Sequence, residues 1–382
     1  MNIVFNKPYI SNDAKKYCFS AISESQLAGN KKYSTQVQNW ICKKFKVKYA
    51  LFTTSCTHAL ELAVMALGLK EDDEVILPSF TFVSTANALI RNGVKPVFVD
   101  VKEKDLNIDV DKIEGYITQK TKAIIPVHYA GISCDMDELK VIAKRHGLFI
   151  IEDAAQAFDA MYKNKYVGTI GDIGCYSFHE TKNLTCGEGG AFLTNNEEIF
   201  QRAEIIREKG TNRSKYLRGE INKYSWVSLG SSFVQSDILA ALLLSQFVIK
   251  DEIKSVRKKI FNYYMENLRD LKEEGLIKLP LITDDKKSNY HIFYVLVKNG
   301  TIRGRCLQEL RARGINAAFH YIPLHSSPYG KKILQDRYEN LKVTEDISNR
   351  IIRLPIYPDL KKKELEYVIK SFKEIVRENI VH

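Results

Sequence analysis

Asp153, Gln156, Ser177 and Lys182 fall in two stretches, "EDAAQA" (Glu152–Ala157) and "SFHETKN" (Ser177–Asn183). Their types suit chemistry at an amine and a carbonyl. A carboxylate at the inner end of a strand can hold a protonated heterocyclic nitrogen, a charge-assisted hydrogen bond worth roughly 1.5–3 kcal/mol. Gln156, three residues on, can reach a neighbouring oxygen. A lysine desolvated between interior strands, close to a cationic ring, loses basicity and becomes nucleophilic. Plainer roles compete: aspartate is a favoured helix cap, and most lysines are solvated. The setting of Lys182 argues otherwise. Ser177 leaves a strand, and Gly187-Glu188-Gly189-Gly190 leads back into one, glycine permitting a close backbone approach.

Thr57 and His58 stand where a helix begins, so free N–H groups and hydroxyls there can bind phosphate. An N-cap by Ser55 or Thr57 uses the same geometry. Neither GxxxxGK[ST] nor a GxGxxG after an early strand occurs, which argues against an NTPase loop and a dinucleotide fingerprint. Phe80 and Phe82 suit either the core or a platform for a ring. His320, Tyr321 and His325 in "FHYIPLHSSPYG" lack metal-ligand company, and no metal centre is expected.

These residues need a scaffold. Short apolar runs, "YALFTT", "EVILPSF", "KPVFVDV", "KAIIPVHY", "LFIIED", "CYSF" and "GAFLTN", recur between residues 49 and 195. Amphipathic helical patterns separate several of them, as at Thr57–Leu69 and Asp135–Gly147. Runs apolar on both faces indicate a mostly parallel sheet covered by helices, an α/β domain. Ligands collect beyond the carboxyl ends of such strands, where Thr57, Ser79, His128, Asp153, Ser177 and Lys182 fall. A helical connector (Ser236–Leu268) leads into a smaller α+β unit. Its expected elements are a strand at Asn289–Val297, a helix at Ile302–Gly314, a strand at Ile315–Pro323 and a closing helix at Lys362–Asn379.

The 382 residues suffice for two domains, and 57 basic against 46 acidic residues give a net charge of +11. The lysines lie mostly in mixed-sign helical stretches without a nucleic-acid motif, so no nucleic-acid partner is expected. The positive field would favour an anionic small molecule. The seven cysteines are unpatterned, the amino terminus lacks a secretory apolar segment, and no stretch is long enough to span a membrane. These features point to the cytoplasm and no membrane partner.

The "EDAAQA" and "SFHETKN" elements, in order and at this spacing, resemble the DegT/DnrJ/EryC1/StrS sugar aminotransferases, which are fold-type I pyridoxal-phosphate enzymes. The likeness runs from "NKPYIS" (Asn6–Ser11) to "RLPIYPDL" (Arg353–Leu360). Through "PSFTFVSTANALI", "PVHYAGISCDMD", "AEIIREKGTNRS" and "FHYIPLH" it is most similar to dTDP-4-amino-4,6-dideoxygalactose transaminases. The resemblance implies an aspartate-aminotransferase-like fold. A large domain, residues 1–249 with an N-terminal arm, would hold a mixed, mostly parallel seven-stranded sheet, and residues 250–382 a smaller α+β domain. Lys182 would bind the pyridoxal 5'-phosphate aldehyde and later move the proton between substrate and cofactor. Asp153 would hold the pyridinium nitrogen, Gln156 would lie near the phenolic oxygen and Phe82 would stack on the ring. Thr57, His58 and Ser177 would hold the phosphate. Ser232, where the family commonly has asparagine, would complete that site from the second subunit of a homodimer with interfacial active sites.

His179, His320 and Tyr321 are expected near the sugar, and Lys209 and Arg213 near the nucleotide diphosphate. The implied reaction aminates dTDP-4-keto-6-deoxy-D-glucose from L-glutamate, with the galacto product favoured over the gluco epimer or amination at C3. The product would enter a surface glycan such as a lipopolysaccharide O-antigen. Related dehydratases carry histidine in place of the lysine; Lys182 is present here. A non-catalytic binding protein on the same scaffold is the remaining alternative.

Overall fold

The computed structural model describes residues 2–334 and 341–379. The apolar runs become strands because turn residues bound each one and helices cover both faces. The large sheet comprises β1 (Tyr49–Thr53), β2 (Glu74–Pro78), β3 (Lys95–Val99), β4 (Thr121–Ile124), β5 (Phe149–Asp153), β6 (Ile173–Ser177) and β7 (Gly190–Thr194). These seven strands stand in the order β1-β7-β6-β5-β4-β2-β3. The pairs from β6 to β3 are parallel, whereas β7 runs antiparallel to β1 and β6. The sheet is thus mixed and mostly parallel.

Alternation along each strand feeds two cores. Ile76, Ile124 and Ile150 join Phe45, Tyr176 and Phe247 on one face. Val75, Leu77 and Ile151 join Leu60, Val64 and Phe192 on the other. Helices Lys32–Phe45 and Asp237–Val248 supply the first, helix Cys56–Leu67 the second.

Beyond the long helix Lys250–Asn267 lies a three-stranded antiparallel sheet, β8 (Ile277–Lys278), β9 (Phe293–Val297) and β10 (Ile351–Leu354). Phe293, Val295, Ile352 and Phe372 form its core, and Ile3 from the opposite end of the chain is buried among them. A buried ammonium, that of Lys286, joins the two units by bonding Asp105 at 3.0 Å and Asp135 at 2.7 Å.

Two local expectations fail for identifiable reasons, and the helical connector is present in two parts. The stretch Ile315–Pro323 is not a strand: it forms isolated bridges, Ile315 with Ile3 and Ala318 with Arg353. The connector breaks at Ile249 into helices Asp237–Val248 and Lys250–Asn267. No helix follows Asp153; Asp153 Oδ1 instead accepts the Ala155 N–H at 3.1 Å and closes a turn.

Candidate active site

The carboxyl ends of β5 and β6 open into a cavity of about 590 Å³ whose lining includes Asp153, Lys182, Ser177, Thr57, His320 and Arg353. Asp153 is the last residue of β5 and is buried. Its Oδ2 accepts from Thr85 Oγ1 at 2.7 Å, and burial raises its pKa against the opposing pull of these hydrogen bonds and of Lys182. Lys182 lies in the turn after β6, its N–H donating to the His179 carbonyl at 2.9 Å. Burial lowers its pKa, and Cys56 and Asp153 partly restore it. The return strand passes close by because Gly190 has no side chain. A Cβ there would stand 2.3 Å from the Ser55 carbonyl carbon and 2.4 Å from the Cys56 nitrogen.

Several hydroxyls share this space. Thr57 Oγ1 and Ser84 Oγ hydrogen-bond at 2.7 Å, and both line the cavity with Ser177. Ser55 caps helix Cys56–Leu67 by accepting the His58 N–H at 3.1 Å. The His58 ring turns elsewhere. It hydrogen-bonds Thr54 Oγ1 and stacks on Phe233 with centroids 4.7 Å apart, so its imidazole is not part of the lining.

Gln156 Oε1 accepts the Ala130 N–H at 2.8 Å while Nε2 donates to the Tyr321 hydroxyl at 3.0 Å, fixing the amide orientation. Phe82, 55% exposed, lines the cavity with its ring 6.3 Å from that of Tyr321. His320 Nδ1 bonds the Tyr129 hydroxyl at 2.8 Å, and burial together with Arg353 and Lys182 holds its pKa well below the ordinary histidine value. His179 also lines the cavity, bonding Thr181 Oγ1 at 2.9 Å and standing 3.5 Å from Glu188.

Lys209, Arg213 and Ser232 lie outside the lining. Arg213 pairs with the buried Glu208 carboxylate at 3.1 Å. Lys209 and Ser232 are exposed on the same segment, which also presents Trp226 at 78% and Leu229 at 75% exposure.

Several lining residues drew no expectation from the sequence, among them Ser84, Thr85, His291 and Arg353. Arg353, on β10, donates from Nε and Nη2 to the Phe319 carbonyl at 3.2 and 3.0 Å, and burial draws its pKa down. Among the described residues no carboxylate pairs with it. The signal was one cation inside the apolar run "IIRLPI". His291 donates from Nδ1 to Asn183 Oδ1 at 2.9 Å, and Asn183 Nδ2 donates to the Asn289 carbonyl at 2.8 Å. The residue after Lys182 is therefore tied to the small unit.

Residues 8–373 match the DegT/DnrJ/EryC1/StrS aminotransferase family. The chain belongs to this family. It is a sugar aminotransferase, and pyridoxal phosphate is its cofactor. Among its relatives, the spore coat polysaccharide biosynthesis protein SpsC of Bacillus subtilis is 36% identical over 86% of both chains. GDP-perosamine synthase of Escherichia coli O157:H7 is 30% identical over 96% of this chain and 97% of its own. The solved PLP-form of the putative sugar aminotransferase Spr1654 from Streptococcus pneumoniae superposes with a TM-score of 0.90, at 26% identity and 99% coverage of each chain. The donor set of the cavity fits that cofactor: an amine, a buried carboxylate and a cluster of hydroxyls at a helix start.

Proposed function

We propose that this aminotransferase transfers the amino group of L-glutamate to C4 of dTDP-4-keto-6-deoxy-D-glucose, giving the galacto-configured dTDP-4-amino-4,6-dideoxyhexose. The observation that carries the reading is the placement of Lys182 and Asp153 on one cavity with Arg353, a cation to which the described residues offer no carboxylate partner. Bound pyridoxal phosphate supplies the electron sink and the temporary amino-group carrier. Lys182 would hold its aldehyde and would move the proton at the reacting carbon. Asp153, aimed by Thr85, would keep its ring nitrogen protonated. Thr57, Ser84 and Ser177, with the helix start at His58, would hold its phosphate, while Phe82 and Gln156 would serve its ring and phenolic oxygen. Arg353 receives the donor's α-carboxylate, a planar anion that matches a guanidinium fork. His179, His320 and Tyr321 face the sugar.

Lys209, Arg213 and Ser232 serve the cavity of a second copy in a homodimer. Their absence from their own cavity and the exposed Trp226 and Leu229 beside them support that arrangement. The relative named GDP-perosamine synthase makes a GDP-linked sugar the second candidate. The name SpsC supports a polysaccharide as the product's destination, and a cytoplasmic site of synthesis remains part of the proposal.

The cofactor-loaded protein is expected to be yellow, to bleach with L-glutamate and to recover its colour with the dTDP keto sugar. Proton couplings at C4 of the product then report position and epimer. Bleaching without recovery on any 4-keto or 3-keto sugar nucleotide would overturn the substrate class.

A further inference from the structure

The first residues of the chain reach the cavity. Ile3 is wholly buried in the small unit. Its N–H donates to the Gly314 carbonyl at 2.8 Å, and its carbonyl accepts from the Asn316 backbone at 2.9 Å and side chain at 3.2 Å. Lys7 is held by Asp359 at 2.7 Å. Between these anchors Phe5 and Asn6 line the cavity. The Phe5 ring centroid lies 4.6 Å from the Arg353 guanidinium carbon.

Arg353 is thus fixed by two contacts of different kinds. The Phe319 carbonyl takes Nε–H and one Nη2–H, while the Phe5 face limits rotation of the plane. Bidentate pairing with a carboxylate needs that plane fixed beforehand, and preorganising it reduces the cost of binding. Remaining N–H groups are available to a ligand, and among the described residues no acid neutralises the charge.

We propose that Phe5 is a positioning residue for the amino donor: it aims the Arg353 guanidinium at the donor's α-carboxylate, so that the amino-terminal arm forms a wall of the donor subsite. The proposal rests on the reading of Arg353 as the donor-carboxylate site. Loss of the ring leaves the arginine charged but free to swing, which weakens binding before and during reaction alike. Uniform weakening raises KM for the donor and leaves kcat in place.

The test uses the cofactor-loaded enzyme with Phe5→Leu, Phe5→Trp and Arg353→Lys. Steady-state kinetics give KM for L-glutamate and for the keto sugar. Calorimetry gives the Kd of glutarate, a dicarboxylate with no amino group to transfer. Phe5→Leu is expected to raise both the glutamate KM and the glutarate Kd by about 5- to 30-fold, with kcat and the sugar KM nearly unchanged. Phe5→Trp restores both, since indole offers a stronger face to a cation. Equal weakening of donor and sugar, a fall in kcat alone, or failure of tryptophan to rescue would overturn the proposal. If Arg353→Lys leaves glutamate and glutarate binding unchanged, the donor-carboxylate reading itself falls. If Arg353→Lys weakens them and Phe5→Leu does not, only the role of Phe5 falls.

Discussion

Asp153, the last residue of one strand, and Lys182, in the turn that follows its parallel neighbour, face one cavity, and burial moves their pKa values in opposite directions, up for the acid and down for the amine. Each is the other's partial remedy, because each charge opposes the other's shift. Both shifts disfavour the charged forms, a cost that a bound cationic ring would offset.

Replacing Lys182 by alanine should abolish the visible absorption of the bound cofactor and lower transamination by at least about 10²–10⁴, the scale of a lost general acid–base group. Thermal unfolding of the cofactor-free variant should not fall, since a desolvated amine is removed. A drop of several degrees would show that Lys182 is structural.

Asp153→Asn separates function from stability through pH. The native pKa of Asp153 lies above its ordinary 3.8, so the folded protein keeps a proton that the unfolded chain has released. The stability this residue contributes is fully present below the ordinary value and is lost as pH rises through the native one. Cofactor-free Asp153→Asn should accordingly melt higher than the parent at pH 8, with the gap closing toward pH 4. Its turnover should fall by about 10- to 150-fold, the rate equivalent of a hydrogen bond worth 1.5–3 kcal/mol. A gap that widened on acidification would contradict the sign of the shift.

Gly190→Ala tests the return strand. The added Cβ meets backbone of Ser55 and Cys56, which cannot swing aside as a side chain would. Overpacking of this kind costs about 1–3 kcal/mol, and here it pushes on the helix start beside Thr57. Melting temperature and cofactor affinity should fall together. Loss of stability with unchanged affinity would place the strain elsewhere.

The strand interiors were legible because a strand buried on both faces must be apolar throughout, and Asp153 and Ser177 stood out as polar residues at the ends of such runs. Direction of side chains was less legible. A helix start at Thr57–His58 tells where N–H groups accumulate, but the His58 ring is captured by Thr54 and by Phe233, far away in sequence. Arg353 drew no expectation from its place in the sequence; its site exists only because Phe5 and Phe319 arrive from distant parts of the chain. The strand expected at Ile315–Pro323 failed for the converse reason: its pattern suited pairing, but its partners, Ile3 and Arg353, each meet it at a single residue.

Glu152, the neighbour of Asp153, carries a different load. It is fully buried and accepts from the N–H groups of Gly168 at 2.7 Å and of Ile170 and Gly171 at 2.6 Å each. His128 Nε2 lies 3.0 Å away, and since His128 Nδ1 accepts the Cys134 N–H, Nε2 carries the proton and donates. Glu152→Gln would turn an amide donor toward donors, at a cost of about 1–3 kcal/mol. The urea midpoint should fall with an unchanged m-value. An unchanged midpoint would mean that the turn at Gly168–Gly171 is held by other contacts.

The segment bearing Lys209, Arg213 and Ser232 decides whether active sites are shared. Arg213 is bonded to Glu208 and lies outside its own cavity, while Trp226 and Leu229 beside it are more than half exposed. If that face covers a second copy and Arg213 serves the partner's site, Lys182→Ala and Arg213→Ala each inactivate a homodimer through different chains. Mixing the two after mild denaturation should then restore activity: about half of the reassorted dimers are mixed, and each holds one site with both residues intact. The expected yield is about a quarter of the parent activity, following the symmetry of a shared interface. Leu229→Glu should convert the protein to monomers by sedimentation and remove the complementation. A mixture no more active than its parts, from Arg213→Ala protein that is inactive and still dimeric, would place Arg213 in its own subunit's chemistry.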